Sequence, residues 1–94
     1  MLLAVQKKIK SAPDSPGVYM MKTAEGQIIY IGKAKSLKRR LSDYLLKDLP
    51  VKTLALIDKV YDIDYLVCKN ENMALLLESA LIRKHKPRYN ISLR

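Results

Sequence analysis

Two short segments of this 94-residue chain each place a tyrosine within two positions of a glycine. They are Gly17-Val18-Tyr19 and Tyr30-Ile31-Gly32, and ten residues separate them. The apolar residues around them predict two strands, Val18 to Lys22 and Gln27 to Ile31, joined by a tight loop. Pairing of these strands would bring the two tyrosines close together. A β-hairpin is therefore the strongest constraint on the fold.

The rest of the chain predicts helices that cover the hairpin and a third strand that completes a sheet. A hairpin alone would be marginally stable, so the third strand is needed. The predicted fold is α/β, a small three-stranded antiparallel sheet flanked by helices, in a single domain over residues 1–94. The other predicted elements are a helix over 2–12, a helix from the Ser36 N-cap through about Lys47, a helix from Val51 to about Val60 after Pro50, a strand around Ile63 to Val67, and a helix from the Asn70 N-cap through about Lys86.

The composition predicts an anionic partner. The formal net charge is +9 and the sequence pI is about 9.8, which favours nucleic acid or an anionic membrane surface. The longest apolar runs are far shorter than the roughly 20 residues that span a bilayer, so the membrane is disfavoured. The single cysteine, Cys68, allows no internal disulfide and has no partners at zinc-ligand spacing. We expect it to pack in a strand, and a reducing cytoplasm fits this composition.

Glu78 lies in an apolar stretch of the last predicted helix. Its neighbours three and four positions away are Ala74, Leu75, Leu81 and Ile82. A carboxylate among aliphatic side chains is costly unless a cation or several donors meet it. Glu78 is therefore either a metal ligand or an edge residue that reaches water or pairs with a lysine. The tyrosine pair favours the metal ligand.

Lys33 directly follows the second tripeptide. Each tyrosine alone could be an ordinary strand residue, because tyrosine favours half-buried sheet surfaces. Two tyrosines that each lie near a glycine, with Lys33 just beyond, indicate a catalytic site instead. A phenol has an unperturbed pKa of about 10. A nearby ammonium or a metal would therefore be needed for Tyr19 or Tyr30 to act as a base near neutral pH.

Arg40 borders the apolar stripe of its predicted helix, one turn before Tyr44. Packing would hold its guanidinium partly in place, and this planar fork of donors matches the oxygens of a phosphate. Two basic clusters, one around Arg40 and one at the end of the last helix, predict a track for a DNA backbone rather than solvated faces alone. The predicted DNA-binding residues are Lys35, Lys38, Arg39, Arg83, Lys84, Lys86 and Arg88.

In this order, the motifs resemble the GIY-YIG nuclease family, and within it the N-terminal nuclease domains of bacterial UvrC-type excision-repair proteins. The segments that carry the resemblance are Pro13 to Tyr19, Ile29 to Leu37 and Glu78 to Asn90. Val18 stands where the family name has isoleucine, a conservative change. The resemblance implies one active site lined by Tyr19, Tyr30, Lys33, Arg40, Tyr44, Glu78 and Asn90, with Gly32 shaping it. From position alone, Asn90 could equally be a turn residue.

The resemblance also implies a mechanism with one divalent ion, Mg²⁺ or Mn²⁺, held by Glu78 as the protein carboxylate. Tyr30 would orient or deprotonate the attacking water, with Lys33 lowering the cost of a phenolate, and Tyr19 would share that duty or position the phosphate. Arg40 would stabilise the transition state. Tyr44 and Asn90 would support the site.

The expected activity is metal-dependent hydrolysis of a DNA phosphodiester bond, as the 3′ incision of nucleotide excision repair. The expected partners are lesion-containing duplex DNA and the UvrB helicase, whose binding regions are absent from this chain. We expect a monomeric domain excised from a longer nuclease. Two alternatives stay open, a free-standing structure-specific GIY-YIG nuclease and a basic DNA-binding module without catalysis. The second alternative accounts for the charge but not for Glu78 or the tyrosine pair.

Overall fold

Eight elements make up residues 1–92, the part of the chain that the computed structural model describes. The α/β class, the hairpin and the third strand are confirmed. The elements are α1 (Leu3–Lys10), β1 (Gly17–Lys22), β2 (Ile28–Ala34), α2 (Leu37–Asp43), α3 (Val51–Lys59), β3 (Asp62–Val67), α4 (Glu71–His85) and α5 (Arg88–Ser92).

The three strands form one antiparallel sheet in the order β2-β1-β3, so β1 is central. Tyr19 in β1 lies opposite Gly32 of β2 and Tyr65 of β3, and Met21 lies opposite Tyr30. Residues directly opposite each other share a face, and alternate residues along a strand share it too. Tyr19 and Tyr30 therefore lie on the same face of neighbouring strands, as the hairpin predicted.

Helices cover both faces of the sheet. The face that carries Tyr19 packs against the first three helices, in a core that includes Val5, Ile9, Leu37, Leu41 and Leu56. The opposite face packs against α4, where Val18, Ile31 and Ala74 are buried together. The short α5 contacts β2 at the edge of the sheet. The layered arrangement leaves the tyrosine-bearing end of the sheet beside α2.

Local capping signals explain where two helices begin. The Ser36 hydroxyl accepts a hydrogen bond of 3.2 Å from the Arg39 amide at the start of α2. The Asn70 side chain accepts one of 2.8 Å from the Met73 amide at the start of α4. Both are N-caps, which satisfy backbone donors that have no partner within the helix. Both caps were predicted from the sequence.

Most element ends lie within two residues of the prediction, and three differences are larger. Helix α2 ends at Asp43, four residues before Lys47, because the backbone tightens there: the Tyr44 amide donates to Leu41, an i to i+3 bond typical of helix ends. Strand β2 runs past Ile31 to Ala34, where it pairs with β1. The third difference is α5, which was not predicted because a five-residue helix leaves no periodic pattern.

Candidate active site

A fully buried tyrosine lies at the centre of the candidate site. Tyr19 has no exposed surface, and its Oη lies 2.7 Å from the Oη of Tyr44. The Nε of Arg40 donates to the same Tyr19 oxygen at 3.4 Å. Burial raises the pKa of both tyrosines, and that of Tyr19 rises well above its usual range. Both phenols are therefore neutral at physiological pH.

Arg40 joins the tyrosines into one cluster. Its guanidinium lies over the ring of Tyr44, 5.8 Å from the ring centroid, a cation–π geometry. The ring of Tyr19 lies 6.1 Å from that of Tyr30 and 5.9 Å from that of Tyr44. The neighbouring phenols, Tyr19 above all, raise the pKa of Arg40. The site thus keeps a permanent positive charge beside three phenols.

Tyr30, Tyr44 and Arg40 open onto one cavity of about 320 Å³. The end of α2, the start of α3 and the connection between them form its other wall. No sequence signal marked that contribution, because these residues belong to no motif. The wall residues that sequence reasoning missed are Asp43, Leu49, Pro50 and Thr53.

A second, larger groove of about 580 Å³ lies between the end of β2, α2 and the first turns of α4. Arg40 and Asp43 line both this groove and the smaller cavity, so the two are adjacent. Basic side chains dominate the wall formed by the end of β2 and by α2, and the first turns of α4 form the opposite wall. Its lining residues are Lys33, Ala34, Lys35, Ser36, Arg39, Arg40, Asp43, Glu71, Asn72, Ala74 and Leu75.

Gly32 makes room for the ring of Tyr19. A Cβ at position 32 would overlap the Cζ and Oη of Tyr19, which lies directly opposite on β1. Any larger residue would therefore displace the buried phenol. Gly32 was expected to shape the site, and the close neighbour that requires a glycine there is the ring of Tyr19. Gly17 is constrained similarly, since a Cβ there would overlap the Leu66 carbonyl and the Leu37 side chain.

Asn90 closes the free edge of β2. Its Oδ1 accepts a hydrogen bond from the Ile31 amide, and its Nδ2 donates to the Ile31 carbonyl, both at 2.8 Å. The side-chain amide thus replaces a neighbouring strand at the residue between Tyr30 and Gly32. Asn90 lies in α5, so it is not merely a turn residue. Its side chain contacts the backbone of the Tyr30-Ile31-Gly32 segment.

Glu78 is half-buried on α4, one turn beyond Ala74, which packs on Val18 and Ile31. Within residues 1–92 its carboxylate has no salt bridge and no side-chain hydrogen bond. The alternative that Glu78 pairs with a lysine is therefore not realised in this part of the chain. The described residues also contain no group of three or more His, Cys, Asp or Glu suited to a metal. A metal held here would rely mainly on one carboxylate.

Residues 15–91 match the family model described as the UvrC-like GIY-YIG domain. The chain belongs to this family. It is 52% identical over 84 residues to the UvrABC system protein C of Treponema denticola, covering 89% of this chain but 13% of that protein. A second relative, from Malacoplasma penetrans, is 47% identical over 90 residues, covering 96% of this chain and 15% of that protein. The chain thus spans about one seventh of the length of these curated relatives.

Comparison with a solved structure supports the same family assignment. The GIY-YIG N-terminal endonuclease domain of UvrC from Thermotoga maritima, bound to its catalytic magnesium, matches with a TM-score of 0.88 and 40% identity. The match covers 95% of this chain and 98% of that one. The expected family and fold are both confirmed.

Two features of this GIY-YIG domain bear on the roles that the resemblance implied for Lys33 and Tyr19. Lys33 lies opposite Val18, on the face covered by α4, whereas Tyr30 lies on the other face. The two side chains therefore leave β2 on opposite sides of the sheet, because strand side chains alternate between faces. Tyr19 has no exposed surface in this structure. The position of Lys33 follows from β2 running on to Ala34, beyond its predicted end at Ile31.

The seven predicted DNA-binding residues are exposed. Lys35, Lys38 and Arg39 follow the end of β2 into α2, and Arg83, Lys84, Lys86 and Arg88 lie around the end of α4. Cys68 lies one residue beyond the end of β3, so the expectation that it packs in a strand was wrong. It is half-buried and packs against the cluster of Val18, Ile31 and Ala74. Among the described helices, none is long and apolar enough to cross a membrane.

Proposed function

We propose that this domain is a metal-dependent DNA endonuclease that hydrolyses one phosphodiester bond at the Tyr30–Arg40 cavity. The observation that carries the proposal is the half-buried Glu78 carboxylate, which has no protein partner within residues 1–92. It stays unpaired in this part of the chain although the whole chain has a net charge of +9. Membership of a family whose solved Thermotoga maritima relative holds a catalytic magnesium supports it.

The donor chemistry of Glu78 fits a hard divalent cation. Mg²⁺ prefers oxygen ligands and is commonly held by one or two carboxylates, with water and substrate phosphate completing its shell. Glu78 offers such a carboxylate, and no ammonium or guanidinium in the described part of the chain neutralises it. When bound, Mg²⁺ or Mn²⁺ would offset negative charge on the phosphate and on the leaving oxygen.

Tyr30 is the residue that we propose to orient or deprotonate the attacking water. It lines the cavity and is half-buried, and its side chain interacts with that of Tyr44. Tyr44 shares this cavity but is engaged with Tyr19, and Tyr19 itself is buried. Tyr30 is thus the phenol of the cluster that lines the cavity and is not bonded to the buried Tyr19 oxygen.

Arg40 is the residue that we propose to bind the scissile phosphate. Its Nε is committed to Tyr19 and its plane is held over Tyr44, which leaves the terminal nitrogens to donate to phosphate oxygens. Preorganised donors of this kind stabilise charge that develops in the transition state. Lys33 lines the groove beyond Arg40, and we propose that it contacts an adjacent phosphate rather than assisting Tyr30.

At the level of the whole system, we propose that this domain makes the 3′ incision of nucleotide excision repair, acting with UvrB through other regions of a longer protein. The UvrABC names of the relatives support this role. A monomeric domain and a cytoplasmic location are the accompanying proposals.

The direct test is nicking of supercoiled plasmid by the purified domain in Mg²⁺ or Mn²⁺, with Tyr30→Phe and Tyr65→Phe compared. Tyr65 is a matched control, because it lies opposite Tyr19 on β3 and makes no hydrogen bond in the described residues. We expect wild type and Tyr65→Phe to nick, and Tyr30→Phe to lose at least about 100-fold in rate. DNA binding without metal-dependent nicking by the wild-type domain would support the non-catalytic module instead.

A further inference from the structure

The hydrogen bonds around Tyr19 determine which way its proton points. A guanidinium Nε–H can only donate, so the Tyr19 oxygen must accept from Arg40. The Tyr19 hydroxyl also has one proton of its own, and the oxygen of Tyr44 is the acceptor within reach in the described residues. No buried side-chain polar atom in this part of the chain lacks a partner.

The opposite direction would leave a buried donor without an acceptor. If Tyr44 donated to Tyr19, the Tyr19 proton would have no partner inside a side chain with no exposed surface. Leaving a buried donor unsatisfied is costly, whereas the half-buried Tyr44 can direct its own proton into a cavity. The chain of donors therefore runs from Arg40 through Tyr19 to Tyr44.

We infer that Tyr19 is a positioning residue, which aims Arg40 through its Nε and orients the Tyr44 hydroxyl as a donor to the Tyr30 oxygen across the shared cavity. The geometry for this relay is the 2.7 Å contact between Tyr19 and Tyr44, and the cavity that Tyr44 and Tyr30 both line. The inference rests on the proposed function only for its kinetic consequences.

The relay gives the Tyr30 oxygen a hydrogen-bond donor that can stabilise a phenolate. We do not assign this role to Lys33, whose side chain leaves β2 on the other face of the sheet. When Tyr30 releases its proton to solvent water in the cavity and becomes a phenolate, a Tyr44 hydroxyl that already accepts from Tyr19 donates to the negative oxygen and stabilises it. Hydrogen bonds in such chains polarise one another, and the charge of Arg40 at the far end strengthens each donor. Tyr19 thus acts on catalysis without touching the substrate.

The donor direction can be measured without DNA or metal. Tyrosines labelled with ¹³C at Cζ show two signals in an equal mixture of H₂O and D₂O when the hydroxyl proton exchanges slowly. We expect split signals for the buried Tyr19 and a single signal for Tyr44, whose proton faces the cavity. A split signal for Tyr44, as expected if its proton were held in the bond to Tyr19, would overturn the inference. This readout holds even if the domain proves not to be a nuclease.

A double-mutant cycle tests the kinetic consequence. Tyr44→Phe should lower kcat about 100-fold with little change in KM, the size seen when one preorganised donor is removed. Tyr19→Phe should lower kcat at least about tenfold, and the double variant should be no slower than Tyr44→Phe alone, because both changes interrupt the same relay. Tyr65→Phe should leave kcat unchanged. Losses that multiply in the double variant would contradict the relay.

Discussion

The Asn90 side chain and the Ile31 backbone exchange two hydrogen bonds of 2.8 Å, one in each direction. Ile31 lies between Tyr30 and Gly32 on an edge strand of the sheet. An edge strand presents unpaired backbone groups, and a side-chain amide carries the matching donor and acceptor. Asn90 therefore fixes the backbone from which Tyr30 projects.

Asn90→Ala should loosen this edge. We expect faster hydrogen exchange at the Ile31 amide, a loss of about 1–2 kcal/mol in the free energy of unfolding, and slower cleavage with unchanged DNA affinity. Asn90→Asp should be intermediate in amide protection, because its carboxylate still accepts from the Ile31 amide but repels the carbonyl. Asn72→Ala is the control, since Asn72 is exposed and makes no hydrogen bond in the described residues. Unchanged exchange at Ile31 in Asn90→Ala would refute the assignment.

Gly32→Ala tests whether a glycine is needed at this position to leave room for the Tyr19 ring. A methyl group at position 32 would overlap the Tyr19 phenol, so we expect a loss of about 1–3 kcal/mol in stability and little cleavage by the folded fraction. Gly26→Ala is the matched control: Gly26 has a φ of 83° and open space around it. That change should cost about 1 kcal/mol from strain and leave cleavage intact. Equal losses of cleavage in both variants would argue against the packing account.

Most of the fold was predictable because its signals are local. Ser36 and Asn70 satisfy helix donors within three residues of themselves, and the alternation around Tyr19 and Tyr30 marks paired strands. The missed features depend on contacts distant in sequence. The early end of α2 at Asp43 brings Tyr44 to Tyr19, and the role of Asn90 depends on a partner 59 positions away. Neither contact leaves a periodic pattern.

Four of the predicted site residues lie together in the structure, and their catalytic roles remain predictions. Tyr19, Tyr30, Arg40 and Tyr44 form one cluster, as the family resemblance implied. The distribution of roles within it could not be read from spacing. The burial of Tyr19 depends on the helices that pack over the sheet, and the opposite faces of Tyr30 and Lys33 depend on β2 continuing past its predicted end at Ile31.

The burial of Tyr19 predicts a specific loss of stability at alkaline pH. Its pKa is raised in the native state, whereas an unfolded phenol titrates at about pH 10. The native state therefore holds this proton more tightly, so the contribution to stability is complete below about pH 10 and declines above it, by up to about 1.4 kcal/mol per pH unit. Tyr19→Phe should flatten the fall in Tm above about pH 10. Parallel falls in Tm for both proteins would contradict this prediction.

Binding of DNA by the domain should be independent of sequence and strongly dependent on salt, because the exposed basic residues face no evident base-reading element. The logarithm of affinity should fall linearly with the logarithm of salt concentration, and Lys84→Ala should reduce the slope by about 1. Lys7→Ala on α1, outside both basic clusters, should leave the slope unchanged. A slope near zero, or a marked preference for one sequence, would contradict this account.

The central claim is that Glu78 holds the divalent ion, and Glu78→Gln tests it most directly. This change preserves size and removes the charge, so Mn²⁺ binding and metal-dependent nicking should both be lost. DNA affinity should stay the same or rise, and the Tm without metal should hold or rise, because a half-buried carboxylate is no longer desolvated. Glu71→Gln, on the same helix, should nick at the wild-type rate. A folded Glu78→Gln protein that nicks plasmid at the wild-type rate in Mg²⁺ would contradict the account.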